Sequence, residues 1–269
     1  MMKKEVVVLV ADKNYKEHAK SLFVNIKKEG QWDGDYCLLT NMIIDDYQEF
    51  IDKGIYVKQI DMSNPFYVKF SVFDSYFKQW EKVMYLDCDI LINGPLSTIK
   101  NLDNTDMYCD GEKITIRDLF TMWYCGGLAE QINGKHFNTN MDQESLNDLD
   151  TNFNVENLCF NSAFMYFNTK LINETTVNEL EILRDRYKKI NFHVGLTEGT
   201  DQPILNLLFI NNWTQIPNKY VSYFGDQDSN TIVSHYCHWS APWNGSVPSA
   251  HNRYVDNLNN FNNTDFKND

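Results

Sequence analysis

Tyr85-Leu86-Asp87-Cys88-Asp89-Ile90-Leu91-Ile92 is an apolar stretch broken by two carboxylates one residue apart. Residues 83–86 predict a short buried strand, and residues 90–92 resume the apolar pattern until Asn93-Gly94-Pro95 stops it. Asp87 and Asp89 then fall at the C-terminal end of a strand, where open α/β sheets bind their ligands. Two like charges so close are costly to bury without a cation or hydrogen-bonding partners, so the pair points to a divalent metal. A solvated turn carries the same pattern, and the flanking sequence has to decide between the two.

Before this stretch, strand-like and helix-like segments alternate. Residues 6–10 are a continuous apolar run, and 15–28 carry Leu22, Phe23 and Ile26 at helical spacing with Gly30 closing them. Residues 37–39 and 55–60 predict the second and third strands, with a helix over 43–51 between them. Residues 68–80 predict a helix that turns Val72, Phe73, Tyr76, Phe77 and Trp80 inward. Such alternation predicts an α/β fold with a mainly parallel central sheet and helices on both faces, the carboxylates ending its fourth strand.

After the stretch, residues 107–109 predict a strand, and 111–157 an irregular insert of the kind used as a lid or acceptor-binding segment. Residues 158–168 read as a strand and 171–190 as a helix with Leu180, Leu183 and Tyr187 inward. A further helix opens at Gly199-Thr200-Asp201-Gln202-Pro203, with Pro203 in its first turn, and a late strand over 231–236 carries His235. The expected organisation is one domain over residues 1–250, with a nucleotide-binding half in 1–95 and an acceptor half in 96–250. A loose, polar, Asn-rich tail is expected over 251–269.

Composition narrows the function. Of 269 residues 43% are hydrophobic and 14% aromatic, which excludes a disordered chain. A net charge of −13 goes against a nucleic-acid partner, whose phosphates need clustered Lys and Arg, whereas a nucleotide bound by an acidic protein needs a metal or a few placed cations. The six cysteines stand singly, without zinc-site spacing, and read as reduced thiols. The apolar run 6–11 is followed at once by Asp12 and Lys13, so it predicts a strand rather than a signal peptide. No window reaches transmembrane length. The expectation is a cytoplasmic protein without a membrane span.

Five separated elements, in one order, resemble the family-eight retaining glycosyltransferases of the GT-A fold, the group of glycogenin and the bacterial lipopolysaccharide galactosyltransferases. They are Ala11-Asp12-Lys13-Asn14-Tyr15, Lys69, Tyr85-Leu86-Asp87-Cys88-Asp89, Phe160-Asn161-Ser162-Ala163 and Gly199-Thr200-Asp201-Gln202-Pro203. A sixth, His235-Tyr236-Cys237-His238-Trp239-Ser240-Ala241-Pro242-Trp243, resembles that family's C-terminal His-x-x-Gly-x-x-Lys-Pro-Trp.

The resemblance implies transfer of a hexose from a UDP-sugar, UDP-glucose or UDP-galactose, to a hydroxyl of a glycan, protein or small molecule, with retention of configuration. It implies Mn²⁺ or Mg²⁺ held by Asp87, Asp89 and His235, an oxygen-and-imidazole set that suits such ions. Asp12, Tyr15, Lys69, Cys88 and His238 would meet the nucleotide, Tyr15 by stacking on uracil. Asp110 and Asn161 would bind donor-sugar hydroxyls. Asp201 and Gln202 would lie under the sugar, where an amide oxygen can support positive charge developing at the anomeric carbon. The chain departs from the family pattern at His238, where Gly is usual, and at Ala241, where Lys is usual. A sugar-nucleotide pyrophosphorylase is a competing enzyme, but its Gly-rich loop is missing from residues 11–15. A nucleotide-sugar or glycan-binding protein with a weakened site is the non-enzymatic alternative.

Overall fold

The structure is a computed structural model that describes residues 3–102, 107–116, 156–187, 200–223, 231–236 and 240–267. Its first half alternates as the sequence predicts: β1 (Lys3–Val10), α1 (Lys16–Lys28), β2 (Asp35–Thr40), α2 (Ile44–Asp52), β3 (Tyr56–Gln59) and β4 (Trp80–Leu86). β5 (Ile90–Ile92), the short α3 (Ser97–Lys100), β6 (Met107–Thr115), β7 (Leu158–Asn168), α4 (Thr176–Tyr187) and α5 (Asp201–Phe209) follow. The chain continues through β8 (Trp213–Gln215), β9 (Val221–Tyr223), β10 (Val233–His235) and α6 (Pro248–Asn260).

Seven strands form a central sheet in the order β3-β2-β1-β4-β7-β6-β8, and β5-β10-β9 form a small second sheet. β3, β2, β1 and β4 run parallel, whereas β7 enters antiparallel between β4 and β6. The unbroken apolar run of β1 is explained by burial on both faces. Val6 and Val8 join a core with Phe73, Phe77, Leu180 and Leu205, while Val7 and Leu9 join another with Phe23, Phe50 and Phe261. The chain winds outward from β1 to β3 and then crosses back to β4 on the other side of β1. The site therefore lies at a point where the winding reverses, the usual place for a ligand crevice.

Three sequence expectations are corrected. Residues 68–80 do not form one α-helix: Pro65–Phe73 and Ser75–Gln79 are separate 3-10 helices, and Trp80 already belongs to β4. Asp74 breaks the run by accepting the Tyr76 N–H at 2.7 Å, yet Val72, Phe73, Phe77 and Trp80 are buried as the spacing implies. The strand at 107–109 extends to Thr115, so the insert begins later than expected; residues 117–155 lie outside the described residues.

The third correction concerns the tail. Residues 251–260 are helical in α6, which packs on α1, and Phe261 and Phe266 are buried among Phe23, Tyr36 and Phe50. Gly54 takes φ of +89° after α2, and Lys267 lies so close to its Cα that a side chain there would collide with it. Truncating Phe261 to alanine should cost about 3–5 kcal/mol in urea unfolding, the usual toll for emptying a buried aromatic site. A loose tail would make that substitution nearly neutral.

Candidate active site

β4 delivers Asp87 and Asp89 to the end of the sheet, and the small sheet delivers His235 to the same place. β10 pairs antiparallel with β5, His235 opposite Ile90, and the Tyr236 N–H donates to the Asp89 carbonyl at 2.9 Å. The far end of this strand pair is fastened by side chains. Asn93 Nδ2 donates to Ser234 Oγ at 2.8 Å and to the Thr231 carbonyl at 3.0 Å, while Arg253 of α6 donates to Asn93 Oδ1 at 2.6 Å and to the Ile92 carbonyl at 2.5 Å. As a result, ligand atoms of Asp87, Asp89 and His235 all lie within 4.8 Å of one another.

These three residues fit a divalent cation. Asp89 Oδ1 is buried with no hydrogen-bond donor aligned on it among the described residues, and His235 Nε2 stands 3.3 Å away. Burial disfavours the imidazolium of His235, but Asp89 and then Asp87 outweigh it and raise its pKa above the ordinary value. The two carboxylates thus call for positive charge between them, which a metal ion held by these three residues would supply.

Beside this trio the carboxylates are organised by Lys69. Its Nζ lies 2.9 Å from Asp87 Oδ2, 3.1 Å from Ser162 Oγ and 3.3 Å from Asp201 Oδ2. Burial works against the ammonium, yet Asp201 and Asp87 overcome it and hold the pKa above that of an ordinary lysine. The Tyr85 hydroxyl donates to the other oxygen of Asp87 at 2.5 Å. The antiparallel entry of β7 brings Asn161 and Ser162 here, with the Asp87 N–H donating to the Ala163 carbonyl at 2.9 Å. α5 is fixed to β7 by Asn206, whose side chain accepts from the Phe160 N–H and donates to the Phe160 carbonyl, both at 2.8 Å. That clamp sets Asp201 and Gln202 against Ser162: the hydroxyl donates to Asp201 Oδ2 at 2.9 Å, and the backbone N–H to Gln202 Oε1 at 3.2 Å.

A cleft of about 660 Å³ runs from these carboxylates toward the end of β1 and is lined by Asp12, Tyr15, Lys69, Asp87, Cys88, Asp89, Ala241 and Trp243. That size suits a small-molecule ligand. Asp12 Oδ1 accepts the N–H groups of Asn14 at 2.9 Å and Tyr15 at 3.0 Å, turning the chain into α1. Tyr15 is half-exposed and meets Trp243 edge-on at 5.9 Å, while Trp243 stacks on His18 at 3.8 Å. Cys88 turns its buried thiol toward the Val10 carbonyl at 3.5 Å, and burial pushes its pKa up. It is shaped as a small wall rather than as a nucleophile.

Sequence reasoning missed Glu112, whose Oε1 accepts from Asn161 Nδ2 at 2.9 Å and Gln202 Nε2 at 2.8 Å. It also missed His18, and it quoted Trp243 without giving it a role. Asp110 pairs with Asn161 across β6 and β7; burial first, and Glu112 second, push its carboxyl up to about 6. His238 lies outside the described residues. Ala241 is buried and puts no charge where the family pattern has Lys.

Solved proteins share this architecture at low sequence identity. The galactosyltransferase LgtC, solved in complex with donor and acceptor sugar analogs, superposes with a TM-score of 0.62 at 17% identity, covering 94% of this chain and 95% of that one. The bifunctional glycosyltransferase WbbM gives a TM-score of 0.62 at 14% identity, covering 98% of this chain and 52% of that one. The fold is that of the GT-A glycosyltransferases.

In sequence, the chain is 24% identical over 256 residues to a lipopolysaccharide 1,2-glucosyltransferase of Escherichia coli, a match over 85% of this chain and 66% of that protein. The family pattern of glycosyl transferase family 8 matches residues 2–246, and the chain belongs to that family. Membership goes against the pyrophosphorylase reading. No helix among the described residues is long and apolar enough to cross a membrane, and Cys37, Cys88, Cys109 and Cys159 are free thiols.

Proposed function

We propose that this chain is a metal-dependent, retaining glycosyltransferase that moves a hexose from a UDP-sugar to a hydroxyl acceptor. The observation that carries the reading is the convergence of His235 with Asp87 and Asp89, which lie far from it in sequence and line the cleft. Glucose and galactose are the proposed sugars, because the named relatives are a glucosyltransferase and a galactosyltransferase. The acceptor is a glycan, a protein or a small polyol, and residues 1–250 act as one catalytic domain, nucleotide half first. Free thiols favour the cytoplasm.

Asp87, Asp89 and His235 would hold Mn²⁺ or Mg²⁺, which when bound offsets the negative charge gathering on the departing diphosphate. Tyr15 and Trp243 offer aromatic surface to the uracil, and Asp12 a carboxylate to its ring N–H. Lys69 stands between Asp87 and Asp201, and its ammonium would offset charge as the sugar–phosphate bond stretches. Asp201, Asn161 and Asp110 receive sugar hydroxyls, and Gln202 supports the positive charge that grows at the anomeric carbon. The acceptor hydroxyl enters on the leaving-group side and gives its proton to the departing phosphate oxygen, which yields retention.

The test is UDP release from UDP-glucose and UDP-galactose with Mn²⁺. Release should stop on adding a chelator and resume with excess Mn²⁺. Equal release with and without chelator would overturn metal dependence. Metal-dependent UDP-sugar binding with no release to any hydroxyl acceptor would favour the second reading, a binding protein, which Ala241 supports by leaving the leaving group one cation short of the family pattern.

A further inference from the structure

Glu112 is a group that no motif in the sequence singles out, yet it accepts hydrogen bonds from both the Asn161 and the Gln202 amides. A carboxylate can only accept hydrogen bonds. The amide atoms facing Glu112 must therefore be the NH₂ groups of Asn161 and Gln202, which settles the orientation of both side chains. Each amide is held at its other end by the backbone of β7. Asn161 Oδ1 accepts the Ala163 N–H at 2.9 Å, and Gln202 Oε1 accepts the Ser162 N–H at 3.2 Å. Asn161 and Gln202 are both buried, so neither amide has bulk water to turn toward.

We infer that Glu112 is a positioning residue for donor-sugar recognition: it locks the Gln202 and Asn161 amides so that their remaining N–H and carbonyl sites face the sugar in one fixed pattern. This rests on the proposed function, which sets Asn161 and Gln202 against the donor sugar. A neutral isostere at this position would keep the shape while losing the one-way pattern, because an amide can present either an oxygen or an NH₂. Glu112 is not among the residues that line the cleft with Asp12, Tyr15 and Trp243, so its effect should be confined to the sugar.

The experiment compares wild type, Glu112→Gln and Glu112→Ala in the presence of Mn²⁺. Calorimetry gives the affinities for UDP and for whichever of UDP-glucose and UDP-galactose the wild type binds more tightly, and steady-state UDP release gives kcat and KM. UDP affinity should stay within about two-fold of wild type in both variants. Glu112→Ala should weaken the UDP-sugar at least five-fold relative to UDP and lower kcat by about 100-fold, the scale of losing one preorganised polar contact. Glu112→Gln should fall between. Unchanged affinity ratios and kcat in Glu112→Ala would overturn the inference, as would a parallel loss of UDP affinity and of melting temperature, which marks a merely structural role. Should the wild type bind UDP-sugar yet release no UDP, the transferase reading fails, and the affinity ratio alone still decides the role of Glu112.

Discussion

Asp89→Ala is expected to lower UDP release by about 1,000-fold or more, the rate equivalent of the several kcal/mol that a metal supplies at a developing charge. In the absence of metal the same variant should differ little in stability from wild type, because it loses the contact with His235 along with the repulsion from Asp87. Asp89 Oδ1 lies 3.3 Å from His235 Nε2 and shares a small volume with Asp87, so removing it takes away an attraction and a repulsion together. Thermal unfolding with and without Mn²⁺ checks both halves: wild type should rise in Tm on adding the ion, and the variant should not. A variant that still gains stability from Mn²⁺ and keeps its turnover would show that the ion sits elsewhere.

The second large effect is expected at Lys69. In Lys69→Met two mostly buried carboxylates, Asp87 and Asp201, lose the ammonium between them. Stranding buried charge in this way typically costs about 3–5 kcal/mol, readable as a lower urea midpoint at an unchanged slope. UDP release should fall with it, by about 100-fold or more when measured where the variant is still folded. Near-wild-type stability together with near-wild-type turnover would mean that solvent rather than Lys69 balances those acids. The two substitutions thus differ in their effect on the fold and act alike on the chemistry, because Asp89 has an attractive and a repulsive neighbour whereas Lys69 is the cation between two acids.

The central strands were legible because burial on both faces leaves little but apolar residues in them, as in Val6 to Leu9. Asp87, Asp89 and His235 were legible as candidates because hard-ion ligands stand out against apolar strand ends, although only the pairing of β5 with β10 explains how they meet. Glu112 was hidden for a physical reason. Pairing of β6 with β7 shifts register between Cys109 and Asp110 and again between Gly111 and Thr115, which erases the alternation that marks a strand. Residues 68–80 misled because 3-10 and α geometries can bury the same aromatic positions, and the interruption depends on one side-chain bond from Asp74. The C-terminal segment misled by composition, since two phenylalanines among many asparagines carry its burial.

Arg253 gives the last helix a reach well beyond its own packing. Without α6, Asp87, Asp89 and His235 would all remain, yet Asn93 and the Ile92 carbonyl would lose the guanidinium that braces the β5–β10 pair, and one step of slippage there turns an inward side chain outward. The precision of the site is thus tied to α6, and a change that pries that helix from α1 should blunt it while leaving the three side chains chemically intact.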